Sequence, residues 1–321
     1  MQSRILSPPS SLPLFSGRRN TIRWLAYHMR TLWLFTFSDL KTIIIPSSLF
    51  GISNALSAHQ YGISSFRSID MPYILLRLPL VLAWTWANLL PFAINNQRTR
   101  PAVAEDAINK PWRPLPSGRI SPHTARTLML SMYLCAQLFS ALISGGLLQG
   151  IGLVFLGMWY NNYGGADCHP VIRNGINALG YVCFTSGAME VTLGEPLFLP
   201  TSTSPRLVQW FSLIAAVIIT TVHSQDLYDQ EGDAVRGRRT LPLVIGDIPA
   251  RWTLAISLQV WGVICPGFWN VSWAPRALSF ALTALVGFRT LSYRDISSDK
   301  STFVIWNIWI SFLYMLPVIG K

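Results

Sequence analysis

Apolar residues along this chain come in long unbroken stretches separated by short polar segments, at 30–54, 71–94, 122–145, 147–162, 174–193, 207–225, 251–267, 273–290 and 302–320. A helix needs roughly 20 mostly apolar residues to cross a bilayer, whereas a barrel strand would alternate apolar and polar positions. The stretches do not alternate. They predict helices, and lipid admits only helices or closed barrels because backbone groups must find their partners internally. The expected fold class is an all-α integral membrane protein of about nine transmembrane helices, multi-pass in the bilayer. Residues 1–29 are expected to form a polar basic N-terminal tail, and 30–321 a single transmembrane domain. The tail carries Arg4, Arg18, Arg19 and Arg23, with Pro8, Pro9 and Pro13 against any helix. It is not read as a cleaved signal, because the first apolar run is long, contains Asp39 and Lys41, and lacks a small-residue cleavage site.

Composition supports the membrane class, with 51% hydrophobic residues, 13 Trp and only 12% charged residues in 321. The net charge of +11 would suit a nucleic-acid binder only if a soluble domain remained to present a basic face, and none does. No nucleic-acid partner is therefore expected, and no protein partner is implied. Cys135, Cys168, Cys183 and Cys265 form no CxxC pair and no metal-like spacing. Nineteen of the 25 basic residues fall on the tail and the even-numbered loops of the nine-span arrangement, and four on the other face. That bias places the N-terminus and the even loops in the cytoplasm. The loops after the second and sixth spans then share one side of the membrane.

Those two loops hold the chemistry. The first, Asn95 to Ser121, reads NNQRTRPAVAEDAINKPWRPLPSGRIS; the second, His223 to Gly246, reads HSQDLYDQEGDAVRGRRTLPLVIG. Each leaves an apolar run with polar oxygen donors, passes an acid cluster and ends on an Arg-x-Leu-Pro step, at Arg113–Pro116 and Arg239–Pro242. The last acid precedes that Arg by seven residues from Asp106 and by six from Asp233, a degenerate internal repeat. Asp226, Asp229 and Asp233 stand at i, i+3 and i+7, which on a helix puts three carboxylates on one face. Three unpaired carboxylates repel one another, and Mg²⁺ relieves this, favouring carboxylates together with substrate phosphates. Gly232 allows a bend or a close approach. Arg236, Arg238 and Arg239 supply guanidiniums suited to phosphate oxygens. Acids with Mg²⁺ on one side and arginines on the other form a clamp for a diphosphate at the mouth of an apolar bundle, so the ligand expected is a diphosphate with a greasy tail. The competing reading is a solvated loop whose acids and bases pair on a helix surface.

At these residues the sequence resembles the UbiA superfamily of intramembrane prenyltransferases. Arg113 to Gly118 match its Arg-Pro-Leu-Pro-Ser-Gly-like step, and Asp226, Asp229 and Asp233 match its DxxDxxxD motif. The resemblance implies a helical bundle around a central cavity open laterally to lipid, two Mg²⁺ ions and a prenyl diphosphate substrate. The first motif departs from the pattern: Asn96 stands at the family's Asn, but the two Asp positions are Arg100 and Ala104, and the nearest acids are Glu105 and Asp106. A similar N-Q…E-D-x-x-N-K-P-x-R-P arrangement occurs in a divergent branch that includes fungal membrane-bound terpene cyclases. By that likeness Asn96, Glu105, Asp106, Asp226, Asp229 and Asp233 are the expected metal ligands, and Lys110, Arg113, Arg236 and Arg239 hold the diphosphate. Asp106, Asp226 and Asp229 are the expected catalytic acids.

The reaction expected is Mg²⁺-assisted ionisation of the allylic C–O bond. Trapping by an internal alkene makes the protein a terpene cyclase, with farnesyl diphosphate as the first substrate to consider and a sesquiterpene as product. Trapping by an acceptor makes it a prenyltransferase acting on an aromatic or other lipophilic compound. A transporter or non-catalytic membrane scaffold is the remaining class. Trp84, Trp86, Trp159, Tyr160, Tyr163, Tyr181, Phe184, Trp306 and Trp309 could stabilise a cation or serve as interfacial anchors. Arg77 could hold an acceptor carboxylate or pair within the fold, Glu190 could be a buried acid or a cap, and His223 reads as packing. An endoplasmic reticulum location is the expectation from family likeness.

Overall fold

A computed structural model describes residues 18–63, 70–198 and 204–320, with side chains from residue 21 onward. Arg4, Arg67, Lys321 and the first 17 residues of the expected tail lie outside them. Among the described residues the chain is helical and contains no strand: α1 (Arg18–Thr36), α2 (Ile45–Leu56), α3 (Met71–Gln97), α4 (Arg100–Asn109), α5 (Pro122–Leu142), α6 (Leu147–Asn162), α7 (Gly165–Cys168), α8 (Pro170–Leu193), α9 (Pro205–Thr221), α10 (Gln230–Arg236), α11 (Leu241–Ile245), α12 (Asp247–Phe268), α13 (Trp273–Ser292) and α14 (Ile296–Ile319).

Helix starts follow local chemistry. Asp70, Ser121, Ser204 and Asp295 each accept a hydrogen bond from the backbone N–H three residues on, and so cap α3, α5, α9 and α14. Pro111 and Pro114 follow α4 directly, and a proline cannot extend a helix without losing a hydrogen bond. The first apolar stretch differs most from expectation. Helix α1 already begins at Arg18, and the run does not continue as one rod: Phe37–Asp39 form a 3₁₀ turn and Leu40–Ile44 a π turn before α2. Ser38, Asp39 and Thr42 sit at this break.

Five segments among the described residues are long and apolar enough to cross a membrane by length and composition: α3, α5, Pro205–Gln225, α12 and α14. The count of nine is therefore not reached on that measure. Helix α6 has only 16 residues. Helix α8 has 24 but carries Arg173, Asn174, Asn177, Glu190 and several hydroxyls. It tolerates them because it packs against α2, α3, α6 and α9, so protein rather than lipid surrounds it.

The helices leave a cavity with about 760 Å³ of empty space. Its wall is read off helical periodicity. Leu89, Phe92 and Asn96 face it from α3, Leu153, Leu156, Gly157 and Tyr160 from α6, and Asn177, Gly180, Tyr181 and Phe184 from α8. These are i, i+3, i+4 and i+7 sets, one stripe per helix. Beyond Leu89, Leu153 and Phe184 the packing closes on Trp84, whose indole donates to Ser140 Oγ at 2.9 Å.

Candidate active site

Helix α3 runs to Gln97, three residues past the expected end, and delivers Asn96 to the cavity wall. Helix α4 then folds so that Ala102, Glu105, Asp106 and Asn109 form its inner face, while Arg100 and Ala104 point outward. The acids of the first loop thus stand on the buried face of α4, which accounts for their displacement from the positions of Arg100 and Ala104.

The second loop does not form one continuous helix. Val222–Gln225 is a 3₁₀ turn, residues 226–229 are turn, and α10 begins only at Gln230. The expectation of three aspartates along one helical face is corrected here. Ser224, Asp226 and Asp229 are poor helix formers, and the two carboxylates are drawn to Arg173 and Lys110 at the point where α9 gives way to turn. The three carboxylates turn to three different bases: Asp226 to Arg173, Asp229 to Lys110, and Asp233 to Arg238 of its own loop.

Helices α4 and α10 pack on each other, so the two loops meet as expected of loops on one side. Asn109 Nδ2 donates to the Asp229 carbonyl at 3.1 Å, and a Cβ at Gly232 would stand 2.3 Å from that same nitrogen. Gly232 therefore permits the approach of α4. Lys110 Nζ lies 2.7 Å from Asp229 Oδ2, and Arg113 Nη1 lies 2.7 Å from Asp106 Oδ1. Arg173 Nη2 lies 2.8 Å from Asp226 Oδ1 and its other nitrogen donates to the Tyr160 hydroxyl. Arg236 Nη1 holds Glu105 Oε2 at 3.0 Å. Arg238 Nη1 bridges Glu105 Oε1 at 2.7 Å and Asp233 Oδ1 at 3.0 Å, and its Nη2 donates to Asn96 Oδ1 at 3.3 Å. Asp167, partly exposed, meets both Arg236 and Arg238 at 3.3 Å.

All the candidate ligands, Asn96, Glu105, Asp106, Asp226, Asp229 and Asp233, belong to this cluster, as do Lys110, Arg113 and Arg236. Arg239 does not turn inward. Its side chain is exposed, and its backbone N–H donates to the Asp167 carbonyl at 3.2 Å. The cause is local: Gly237 reverses the chain at φ +80°, and the extended residues behind it alternate, with Arg238 and Thr240 buried and Arg239 out. Arg238, named from the sequence among three guanidiniums but left out of the diphosphate assignment, takes the inward place expected of Arg239, and Arg173 is the guanidinium that the sequence did not point to. For Arg238 the alternation past Gly237 was a usable signal; nothing near Arg173 in sequence pointed to the cluster.

Burial and charge compete at Glu105, Asp106 and Asp233. Burial pushes Glu105 up, but Arg238, Arg236 and Lys110 outweigh it and hold the carboxyl below its ordinary value. At Asp106 burial prevails over Arg113 and Lys110, and the carboxyl stands above its ordinary value. Asp233 is pushed up to about 6, by burial first, against Arg173 and Arg238, with Asp226 and Glu105 adding like-charge repulsion.

One oxygen of each of Asp106, Asp229 and Asp233 is buried without any hydrogen-bond partner (Oδ2, Oδ1 and Oδ2). Buried oxygens of this kind are costly unless something positive meets them, so the donor set fits a hard divalent cation. Among the described residues no three acid, imidazole or thiol groups converge tightly enough to hold a metal ion unaided, so oxygens from substrate would have to complete its shell.

Tyr160, Tyr181 and Phe184 line the cavity, together with Phe92. Trp84, Trp306 and Trp309 are fully buried in packing, Trp159 and Tyr163 are exposed, and Trp86 donates to Thr36 Oγ1 at 3.2 Å. Arg77 Nε donates to the Val191 carbonyl at 2.8 Å, and Glu190 accepts from Gly146 N and Leu197 N at 3.0 Å each, so both tie helices together away from the cavity. His223 Nε2 meets the Ala250 carbonyl at 3.1 Å, as packing requires.

Residues 80–313 match the model of the UbiA prenyltransferase family. The chain belongs to the UbiA prenyltransferase family. This UbiA protein is 30% identical over 302 residues to the fumagillin beta-trans-bergamotene synthase of Aspergillus fumigatus, covering 91% of this chain and 93% of that one. It is 26% identical to the polyprenyl transferase of Hericium erinaceus, over 91% and 94% of the two chains. Its fold matches a UbiA homolog from Archaeoglobus fulgidus, solved with GPP and Mg²⁺, at a TM-score of 0.57 and 14% identity, covering 86% of this chain and 98% of that one. At that identity the likeness concerns the fold. The UbiA protein is an integral membrane enzyme of the prenyltransferase and terpene cyclase type.

Proposed function

We propose that this protein is a Mg²⁺-dependent terpene cyclase that ionises farnesyl diphosphate at the two-loop cluster and closes the carbocation within the apolar cavity. The observation that carries the reading is the meeting of α4 and α10: five acids and five inward bases gather beside Asn96 and Tyr160, which take hydrogen bonds from Arg238 and Arg173 and line a largely apolar and aromatic cavity. The 30% identity to a named bergamotene synthase favours cyclisation; the polyprenyl transferase relative keeps acceptor prenylation as the second reading. We place the N-terminus and both charged loops in the cytoplasm and the protein in the endoplasmic reticulum membrane.

In this mechanism the Asn96 amide oxygen and the carboxylates of Glu105, Asp106, Asp226, Asp229 and Asp233 would hold the metal. Bound Mg²⁺ would supply Lewis-acid neutralisation of the leaving diphosphate. Lys110, Arg113, Arg173, Arg236 and Arg238 exchange their carboxylate partners for phosphate oxygens, which guanidiniums bind in the same geometry. Arg239, being exposed, would act only at the rim. Tyr160, Tyr181, Phe92 and Phe184 present ring faces to the cation, each contributing about 0.5–2 kcal/mol, and the apolar wall excludes water that would quench it.

The test is to incubate purified protein in detergent with Mg²⁺ and farnesyl diphosphate alone, beside an Asp226→Asn, Asp229→Asn variant. Released diphosphate and extracted hydrocarbon are measured. A cyclic hydrocarbon lost in the variant is expected. Diphosphate release only when a lipophilic acceptor is added would move the assignment to prenyl transfer, and no release with any prenyl diphosphate would end the enzymatic reading.

A further inference from the structure

Asp39 stands apart from every acid in the cluster. It lies where the 3₁₀ turn after α1 passes into the π turn before α2, a backbone irregularity of the kind that recurs at functional sites. The break sets Asp39, Thr42 and Ile43 into the cavity wall, which Asn177, Tyr181 and Gln225 also line. Glu105, Asp106, Asp226, Asp229 and Asp233 each hold a basic side chain within 3.0 Å. Among the described residues the Asp39 side chain makes no hydrogen bond and no ion pair; the positive groups that act on it are Arg113, Lys110 and Lys41, each without contact.

A carboxylate held in a cavity wall away from bulk water and without a hydrogen-bonded or ion-pair partner is expensive. An uninterrupted helix through residues 37–44 would have kept regular hydrogen bonds, yet the chain breaks there with this acid in the wall. What such a group suits is a positive charge that arises inside the cavity during the reaction.

We propose that Asp39 is a catalytic residue, the base that ends the reaction; the inference rests on the ionisation reading above. After ring closure a C–H bond beside the cationic carbon breaks. Its electron pair becomes the new C=C bond, and the proton moves to a carboxylate oxygen of Asp39. The carboxylic acid returns that proton to water at the mouth as product leaves. Ionisation belongs to the two-loop cluster and termination to Asp39, so the two steps separate by mutation.

The experiment uses the full chain in detergent with Mg²⁺ and farnesyl diphosphate, and reads both diphosphate release and the product spectrum for wild type, Asp39→Asn and Asp39→Glu. The Asn variant should keep diphosphate release within about threefold while the main hydrocarbon falls by about a hundredfold, the usual scale for losing a general base. Isomeric alkenes or water-quenched alcohols should replace it. The Glu variant, its carboxylate moved by one methylene, should recover deprotonation with an altered alkene ratio. An unchanged spectrum in Asp39→Asn, or equal losses of release and hydrocarbon, overturns the role. Should Asp39→Asn fail to fold, Asp39→Glu decides alone: a wild-type spectrum overturns the proposal and a shifted alkene ratio at retained release supports it. If wild type itself releases no diphosphate, the ionisation reading fails and the role of Asp39 fails with it.

Discussion

Replacing Arg238 by glutamine removes the guanidinium that binds Glu105 at 2.7 Å and Asp233 at 3.0 Å. Arg238 and both acids are buried, so the pairing is not diluted by solvent. Removing one partner of a buried pair costs about 3–5 kcal/mol. Arg236 still holds Glu105 at 3.0 Å, which puts the loss near the lower end, about 3 kcal/mol. The loss also carries a pH signature. Asp233 stands at about 6 with Arg238 in place, against about 3.9 for an ordinary aspartate. Between those values the folded protein holds a proton that the unfolded chain has released, so stability falls as pH rises and levels off above the folded pKa. Without Arg238, burial is opposed mainly by Arg173, and the carboxyl moves higher still. Wild type therefore levels off near pH 6, while the variant goes on losing stability at about 1.4 kcal/mol for each further unit of pKa. The assay is denaturant unfolding in micelles with EDTA, followed by tryptophan fluorescence, at about pH 6 and about pH 8. The gap between the two proteins should widen at the higher pH. A gap that is constant or narrower would refute the assignment of Arg238 as an ion-pair partner of Asp233.

Arg239→Gln, at the exposed neighbouring position, should change stability by no more than about 0.5 kcal/mol in the same assay; a loss like that of Arg238 would mean the chain leaves α10 differently. In Gly187→Ala the new Cβ would stand 2.1 Å from the Trp84 ring, and such overpacking should cost about 1–3 kcal/mol, measured by unfolding, with no loss showing that the indole has room. Gly232→Ala pushes Asn109 away from Asp229; a hydrogen bond of about 1 kcal/mol is lost and about 1 kcal/mol of helix propensity gained. Stability should barely move while diphosphate release drops, and unchanged release would show that α4 and α10 need not stay in register. Phe184→Ala opens the closed end of the cavity and should raise the preference for geranylgeranyl over farnesyl diphosphate, in relative kcat/KM, by about tenfold or more; an unchanged ratio would place the end of the prenyl chain elsewhere.

Much of this protein could be read without coordinates. Unbroken apolar runs cannot be anything but spanning helices in lipid, so the all-α membrane class followed from chemistry alone. The starts of α3 and α5 fall where the apolar runs placed them, at 71 and 122, whereas α14 begins at Ile296, six residues before its apolar run, because Asp295 caps it there. The two charged loops stood out because acids and bases are rare elsewhere in the chain, and nearly every residue chosen in them reached the cluster. What periodicity could not supply was direction. It placed Asp226, Asp229 and Asp233 on one face, whereas the chain turns between them and sends Asp226 to Arg173, 53 residues earlier. It could not see that Gly237 exposes Arg239 and buries Arg238, or that the break at residues 37–44 sets Asp39 into the cavity wall. Hydropathy also misjudges α8, because its polar residues meet other helices rather than lipid. A residue's type and spacing fix which element forms, because those forces act within a few residues. Which groups meet across the bundle depends on how the helices pack and where each connection turns, and only the tertiary structure decides that.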